Sequence, residues 1–149
     1  MQICSDQLDQ LTEAAVVDLR LLLAGDVSTP RSPGAWSKLE ILGHLVDSAA
    51  NNHHRFVRAQ ELDELKFPPY DPPAWVAAQR YRECDWDRLV DLWLAYNRHL
   101  VHVLRVMPDE QLETPCWVDW YDEPRTIPLR TVVDAYIEHI AGHLKQLRE

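Results

Sequence analysis

With 149 residues, 46% of them hydrophobic and 26% charged, the chain is long enough for one domain with a real core and too short for two comfortable ones. A formal charge of -9 without any basic cluster excludes a nucleic-acid binder that works through phosphate contacts. The three scattered cysteines, Cys4, Cys84 and Cys116, form neither a disulfide framework nor a zinc ribbon, and no signal peptide or membrane-length apolar run stands out, so a soluble cytoplasmic protein without a membrane partner is expected.

Apolar residues at helical spacing from Ser5 to Ala24 (Leu8, Leu11, Ala14, Ala15, Val17, Leu21, Leu22) predict a first helix, with Gly25 suited to its stop. Pro30, Pro33 and Gly34 interrupt the pattern. Ser37-Lys38-Leu39-Glu40 then has capping-box form, so a second helix begins at Ser37 and runs to about Leu62. Its core stripe is Leu42, Leu45, Val46, Ala49, Phe56 and Val57. His44, Asp47, Ser48, Asn51 and Arg55 form a polar stripe nearly opposite. That stripe is either a solvated surface or the wall of a polar cleft with His44 as a metal ligand. His53 and His54 read as structural, two turns beyond His44.

Four prolines between Pro68 and Pro73 favour an extended path, either a structural crossover or a lid carrying Tyr70 and Trp75. A third helix is predicted from Asp85, a good N-cap, to Val106, with Trp86, Leu89, Trp93, Tyr96, Leu100, Val103 and Leu104 as its core face. Asn97 falls within that face and needs a buried partner, whereas His99 and His102 look outward. From Met107 to Pro128 the chain is irregular and rich in proline and aromatic residues, with room for a turn or hairpin. Pro128 fits the first turn of a fourth helix ending near Leu147. Four amphipathic helices imply a single all-α domain, a four-helix bundle with long crossovers after helices two and three.

In the fourth helix, Leu129, Val132, Val133, Tyr136, Ile140, Leu144 and Leu147 form one broad stripe, and His139 and His143 lie inside its edge. Four residues apart, the two imidazoles stand one above the other and reach a common point. They are either core histidines bonded to neighbours or two ligands of one ion, which would satisfy a nitrogen from each.

Trp36-Ser37-x-x-Glu40-x-Leu42-Gly43-His44-Leu45-x-Asp47-Ser48 resembles the second-helix signature of the DinB-like superfamily with its YfiT branch. Tyr70-Asp71-x-x-Ala74-Trp75, Asn97-Arg98 and His139-x-x-Gly142-His143-Leu144-x-Gln146 are similar to that family in the same order. The resemblance implies that His44, His139 and His143 are three metal ligands. It also implies a homodimer and a metal-dependent thiol transferase or isomerase using mycothiol, bacillithiol or glutathione.

Three neutral imidazoles leave a divalent ion open positions, which suits hydrolysis or thiol transfer on a small-molecule substrate. Zinc and nickel lead as metals, and a low-molecular-weight thiol is the candidate cosubstrate. Asp47 is a candidate base or orienting residue, its other reading being solvation of the helix face. Asn51, Arg55 and Trp75 are candidate substrate contacts by face and position. The alternative reading is a non-catalytic metal-binding stress protein, and a third is a metal-free helical dimer.

Overall fold

The computed structural model describes residues 2–22 and 24–149. Four long helices make its frame: α1 (Gln2–Leu21), α3 (Lys38–Arg58), α5 (Trp86–Val106) and α6 (Leu129–Arg148). Two short helices, α2 (Ala24–Val27) and α4 (Pro72–Gln79), interrupt the first two crossovers. Strands β1 (Leu65–Lys66), β2 (Pro115–Val118) and β3 (Arg125–Pro128) form a small sheet in that order, β1 parallel and β3 antiparallel to β2. Both α5 and α6 pack against α1 and against α3. Going round the bundle the order is therefore α1, α5, α3, α6. Consecutive helices α1 and α3 stand on a diagonal, as do α5 and α6, which is why long connections are needed.

The apolar stripe of α6 is the clearest case of sequence dictating packing: Leu129, Val132, Val133, Tyr136, Ile140, Leu144 and Leu147 are all buried. On α5, Trp86, Leu89, Trp93, Leu100, Val103 and Leu104 are buried, and Tyr96 packs at the margin. Asn97 has the partner its burial demands, because Tyr136 donates its hydroxyl to Asn97 Oδ1 at 2.7 Å and Asn97 Nδ2 donates to the Trp93 carbonyl at 2.9 Å. This bond fastens α6 to α5 across the bundle.

Helix α3 starts as its capping box requires. Ser37 Oγ accepts from the Glu40 amide at 3.3 Å, and Glu40 Oε2 accepts from the Ser37 amide at 2.8 Å. Arg82 Nε lies 2.8 Å from the same oxygen and ties the following crossover to this end. The helix ends at Arg58, one turn short of the expected Leu62, where Ala59 caps it and the chain turns into β1.

Several expectations are corrected. Helix α1 ends at Leu21, and Gly25 sits within α2 rather than stopping α1; Leu23, between them, lies outside the described residues. Its buried face is Cys4, Leu8, Thr12, Ala15 and Leu19, so Val17 and Leu21 are 61% and 75% exposed and Ala14 also faces out. The cause is periodicity: steps of four, four, three and four follow the face on α5 and α6, whereas Val17 and Leu21 lie around the helix from it. The hydroxyl of Thr12 is buried because it donates to the Leu8 carbonyl at 2.7 Å. On α3, Val57 is likewise exposed.

The proline-rich crossover does not stay extended. Pro72 and Pro73 open α4, and Asp71 caps it by accepting from the Ala74 amide at 3.1 Å. Proline lacks only an N–H that no first-turn residue bonds within the helix, so it begins a helix as readily as it breaks one. The second irregular stretch folds into the β2–β3 hairpin. Leu65 pairs with Cys116 and Cys116 with Ile127, a row that packs inward across all three strands.

Gly43 allows the closest approach between α3 and the crossover. The Tyr81 ring lies where a Cβ on Gly43 would stand. Gly43→Ala is therefore expected to lower stability by about 1–3 kcal/mol through overpacking, measured by urea or thermal unfolding. Gly142 has open space where its Cβ would be, and Gly142→Ala is expected to be neutral or to add up to about 1 kcal/mol. A Gly43→Ala protein as stable as the parent would show that Tyr81 does not lie on α3.

Candidate metal centre

Because α3 and α6 are neighbours, the polar stripe of one faces the histidine edge of the other. The His44 ring stands 4.9 Å from those of His139 and His143, which are 4.6 Å apart, and all three pairs meet nearly edge-on. One ligand nitrogen from each lies within 4.8 Å of the other two. His44 is 4% exposed, and the Trp36 ring covers it at 5.1 Å.

Two ring nitrogens in this cluster, His44 Nδ1 and His139 Nε2, are buried without a partner among the described residues. Burial, reinforced by the neighbouring histidines, pushes the pKa of His44 down to about 4, and burial followed by His143 and Arg55 does the same for His139. Both rings are therefore neutral at physiological pH and keep a lone pair. Gln146 Oε1 lies 3.0 Å from His143 Nδ1; since that oxygen only accepts, a proton belongs on Nδ1 and Nε2 is the ring atom left over. Two neutral imidazoles with orphaned nitrogens and a third imidazole beside them fit a divalent ion with an affinity for nitrogen.

His44 and His139 line a cavity of about 640 Å³ whose other walls come from α3, α6 and the crossovers. Arg55 projects into it from α3, with its guanidinium carbon 4.1 Å from the Phe67 ring centroid and 5.6 Å from that of Trp120. Its recorded hydrogen bond is to Asn52 Oδ1 at 3.3 Å. Burial lowers its pKa from the ordinary value.

Of the polar stripe read from the sequence, His44, Ser48 and Arg55 line this cavity, while Asp47 is buried without lining it. Asp47 Oδ1 accepts from Tyr81 Oη and from Gln79 Nε2, each at 2.7 Å, and burial raises its pKa. Asp47 therefore binds the second crossover to α3 and is not hydrogen-bonded to His44. Asn51 donates to the Asp47 carbonyl at 2.9 Å and borders a separate small hollow beside His54 and Arg58. Trp75 is 40% exposed and packs on the Tyr70 ring at 5.1 Å, with Tyr70 itself lining the cavity.

The sequence reading missed Asn52, Phe67, Trp120 and Tyr136 in the cavity wall. Asn52 was findable, since His44, Ser48, Asn52 and Arg55 step by four, four and three along one helix face. Phe67 and Trp120 had no such signal, because the sheet brings them together at 6.0 Å. The other histidines form no second centre of three ligands among the described residues. His53 meets Tyr96 and His99, and His99 and His102 face out with rings 6.3 Å apart. Cys116 lies deep, its thiol pushed up to about 11 by burial, and so is protonated and a poor nucleophile.

The chain matches the model of the DinB superfamily over residues 7–147. It is 22% identical over 131 residues to YfiT of Bacillus subtilis (strain 168), whose name marks it as a candidate metal-dependent hydrolase; the match covers 88% of this chain and 72% of that protein. The solved YfiT structure, described as a four-helix bundle of unusual topology, superposes with a TM-score of 0.77 at 22% identity, covering 96% of this chain and 85% of YfiT. The mycothiol-dependent maleylpyruvate isomerase superposes with the same TM-score of 0.77 at 14% identity, over 97% of this chain and 59% of the isomerase. Both solved structures share the fold. Among the described residues, no helix is long and apolar enough to cross a membrane.

The depressed histidine pKa values give a pH dependence of known sign. Between about pH 4 and 6.5 the unfolded chain takes up protons that native His44 and His139 refuse. Metal-free protein should hold this stability fully above the window and lose it as pH falls through it. Asp47, with a raised pKa, works in the opposite direction. The double variant His44→Gln/His139→Gln isolates the ring effect: thermal melts of the parent should fall more steeply across the window. Parallel slopes would mean that the rings are hydrated in solution.

Proposed function

The chain belongs to the DinB superfamily, and on that premise we propose that it is a metal-dependent enzyme in which His44, His139 and His143 hold one divalent ion and act on a small molecule. The observation carrying this reading is the convergence of three imidazoles, two of which have buried unpartnered nitrogens and line a cavity. Such an ion supplies Lewis acidity, which polarises an electrophile and lowers the pKa of water or a thiol.

The protein's own groups do the rest. Trp36 and the crossovers exclude bulk water from His44. Gln146 sets the tautomer of His143, and Tyr136, held by Asn97, fixes the turn of α6 that precedes His139. Asp47 acts through position, holding Tyr81 and Gln79 so that the second crossover closes over the cavity. Arg55 contacts substrate. Thiol-dependent S-transfer or isomerisation, or else hydrolysis, is the reaction class. Zinc or nickel, a low-molecular-weight thiol cosubstrate, a homodimer and a cytoplasmic setting complete the proposal, each carried over from the family resemblance.

One observation favours a second reading, a metal-binding protein without catalysis: Asp47, the buried carboxylate nearest His44 in sequence, makes its hydrogen bonds to Tyr81 and Gln79 through Oδ1, makes none to His44, and lies outside the cavity lining. Elemental analysis of protein purified without chelators, followed by assays with mycothiol, bacillithiol and glutathione against maleyl and chlorinated electrophiles and with ester substrates, separates the two. About one divalent ion per chain and turnover are expected. His44→Ala should weaken metal retention by more than the roughly 10–100-fold typical of losing an outer partner, and abolish turnover. Metal without turnover above the His44→Ala background would favour the second reading, and no metal at all would refute both.

A further inference from the structure

Arg55 is out of balance with its surroundings. A guanidinium carries five N–H donors and a permanent charge. Here it donates to Asn52 Oδ1 at 3.3 Å, while no carboxylate pairs with it among the described residues; Asp119 acts on it only at a distance. Exposed arginines of this chain do have such partners: Arg98 with Glu13, Arg105 with Asp9, Arg130 with Glu113. A half-buried cation without a counter-ion is unfavourable in the empty protein. The Phe67 ring lies over it at 4.1 Å and Trp120 flanks it at 5.6 Å, and with those two rings only 6.0 Å apart the aromatics crowd one side of the guanidinium and offer its donors no oxygen. The same cavity is lined by His44 and His139, by the aromatic rings of Trp36, Tyr70 and Tyr136, and by Asp119 as its one carboxylate.

We infer that the cavity takes a small organic carboxylate, with its carboxylate on the edge of Arg55, an apolar body along the aromatic wall and its reacting end at the three histidines. The functional meaning of this inference rests on the metal-enzyme reading, although the anion subsite is built without the ion. The carboxylate can belong to the substrate or to a thiol cosubstrate; the recognition chemistry is the same. Arg55 is then a specificity-determining residue: it selects for charge at the end of the ligand remote from the chemistry.

The test is isothermal titration calorimetry on the full chain, chelator-treated and zinc-loaded, with 3-phenylpropionate, its neutral amide and glutathione. The acid is expected to bind both forms about tenfold or more tightly than the amide. Arg55→Gln should abolish that preference, and Arg55→Lys, which keeps the charge but not the paired donors, should retain part of it. Metal-free Arg55→Gln should melt at or above the parent temperature, since an uncompensated charge is gone. Glutathione displacing 3-phenylpropionate would support the inference and assign the carboxylate to the thiol; simultaneous binding of both would support it and assign the carboxylate to the substrate. Equal affinity of acid and amide, or an unchanged preference in Arg55→Gln, would overturn it. Zinc retained by the three histidines with no Arg55-dependent preference defeats the anion subsite alone. The preference persisting in a chain that takes up no zinc defeats the metal reading alone.

Discussion

Unsatisfied nitrogen is the constraint around which this structure is arranged. Buried polar atoms ordinarily find a partner, and leaving one without is costly. Here two imidazole nitrogens are left bare at the same place, each on a ring kept uncharged by its surroundings. The contact between α3 and α6 forces them together. Its precision comes from a second layer: the Tyr136–Asn97 bond anchors α6, and the Gln146 amide orients the third ring. A bundle with the same apolar stripes but without these bonds would still fold, yet its rings would be free to turn away from one another.

Labour is divided between helices and connections. Helices α3 and α6 supply the three histidines and one side of the cavity, and the crossovers supply the rest of its lining. Because α1 to α3 and α5 to α6 each span a diagonal, the connections have to travel over the ends of the bundle, and they are long enough to fold on their own account. Helix α2 and the β2–β3 hairpin lie in those two connections, whereas α4 lies in the long connection between the neighbours α3 and α5. Asp47 holds the crossover that carries Tyr81 against α3, while Arg55 is met by Phe67 beside β1 and Trp120 beyond β2. Relatives sharing the helices can therefore differ in what they accept by changing connections alone.

What could be read in advance follows the same division. The core stripes of α5 and α6, the Ser37–Glu40 cap and the need of Asn97 for a buried partner are local or periodic features, whereas the identity of that partner, Tyr136 on another helix, is not. His139 and His143 as a pair were legible from spacing, but the convergence of His44 on them is tertiary and came only with the family resemblance. Proline misled in the second crossover because its effect depends on position: the same residue that breaks a helix interior starts one when an aspartate precedes it, as Asp71 precedes Pro72. Val17 and Leu21 misled on α1 because hydrophobicity without the right step does not identify the buried face. Cavity walls built by strand pairing, such as Phe67 with Trp120, leave no trace in a periodicity.

Nearly a hundred residues of chain separate His44 from His139, yet their rings are 4.9 Å apart. Closing so long a loop is entropically unfavourable until many contacts reward it, so pairings of this range form late in folding. An ion that meets an incompletely folded chain finds only the two-nitrogen claw of an isolated α6, or a solitary imidazole on α3. Under the proposed metal reading, chelation by all three rings waits on the docking of α6, and occupancy of the centre becomes a record that the tertiary structure has been completed.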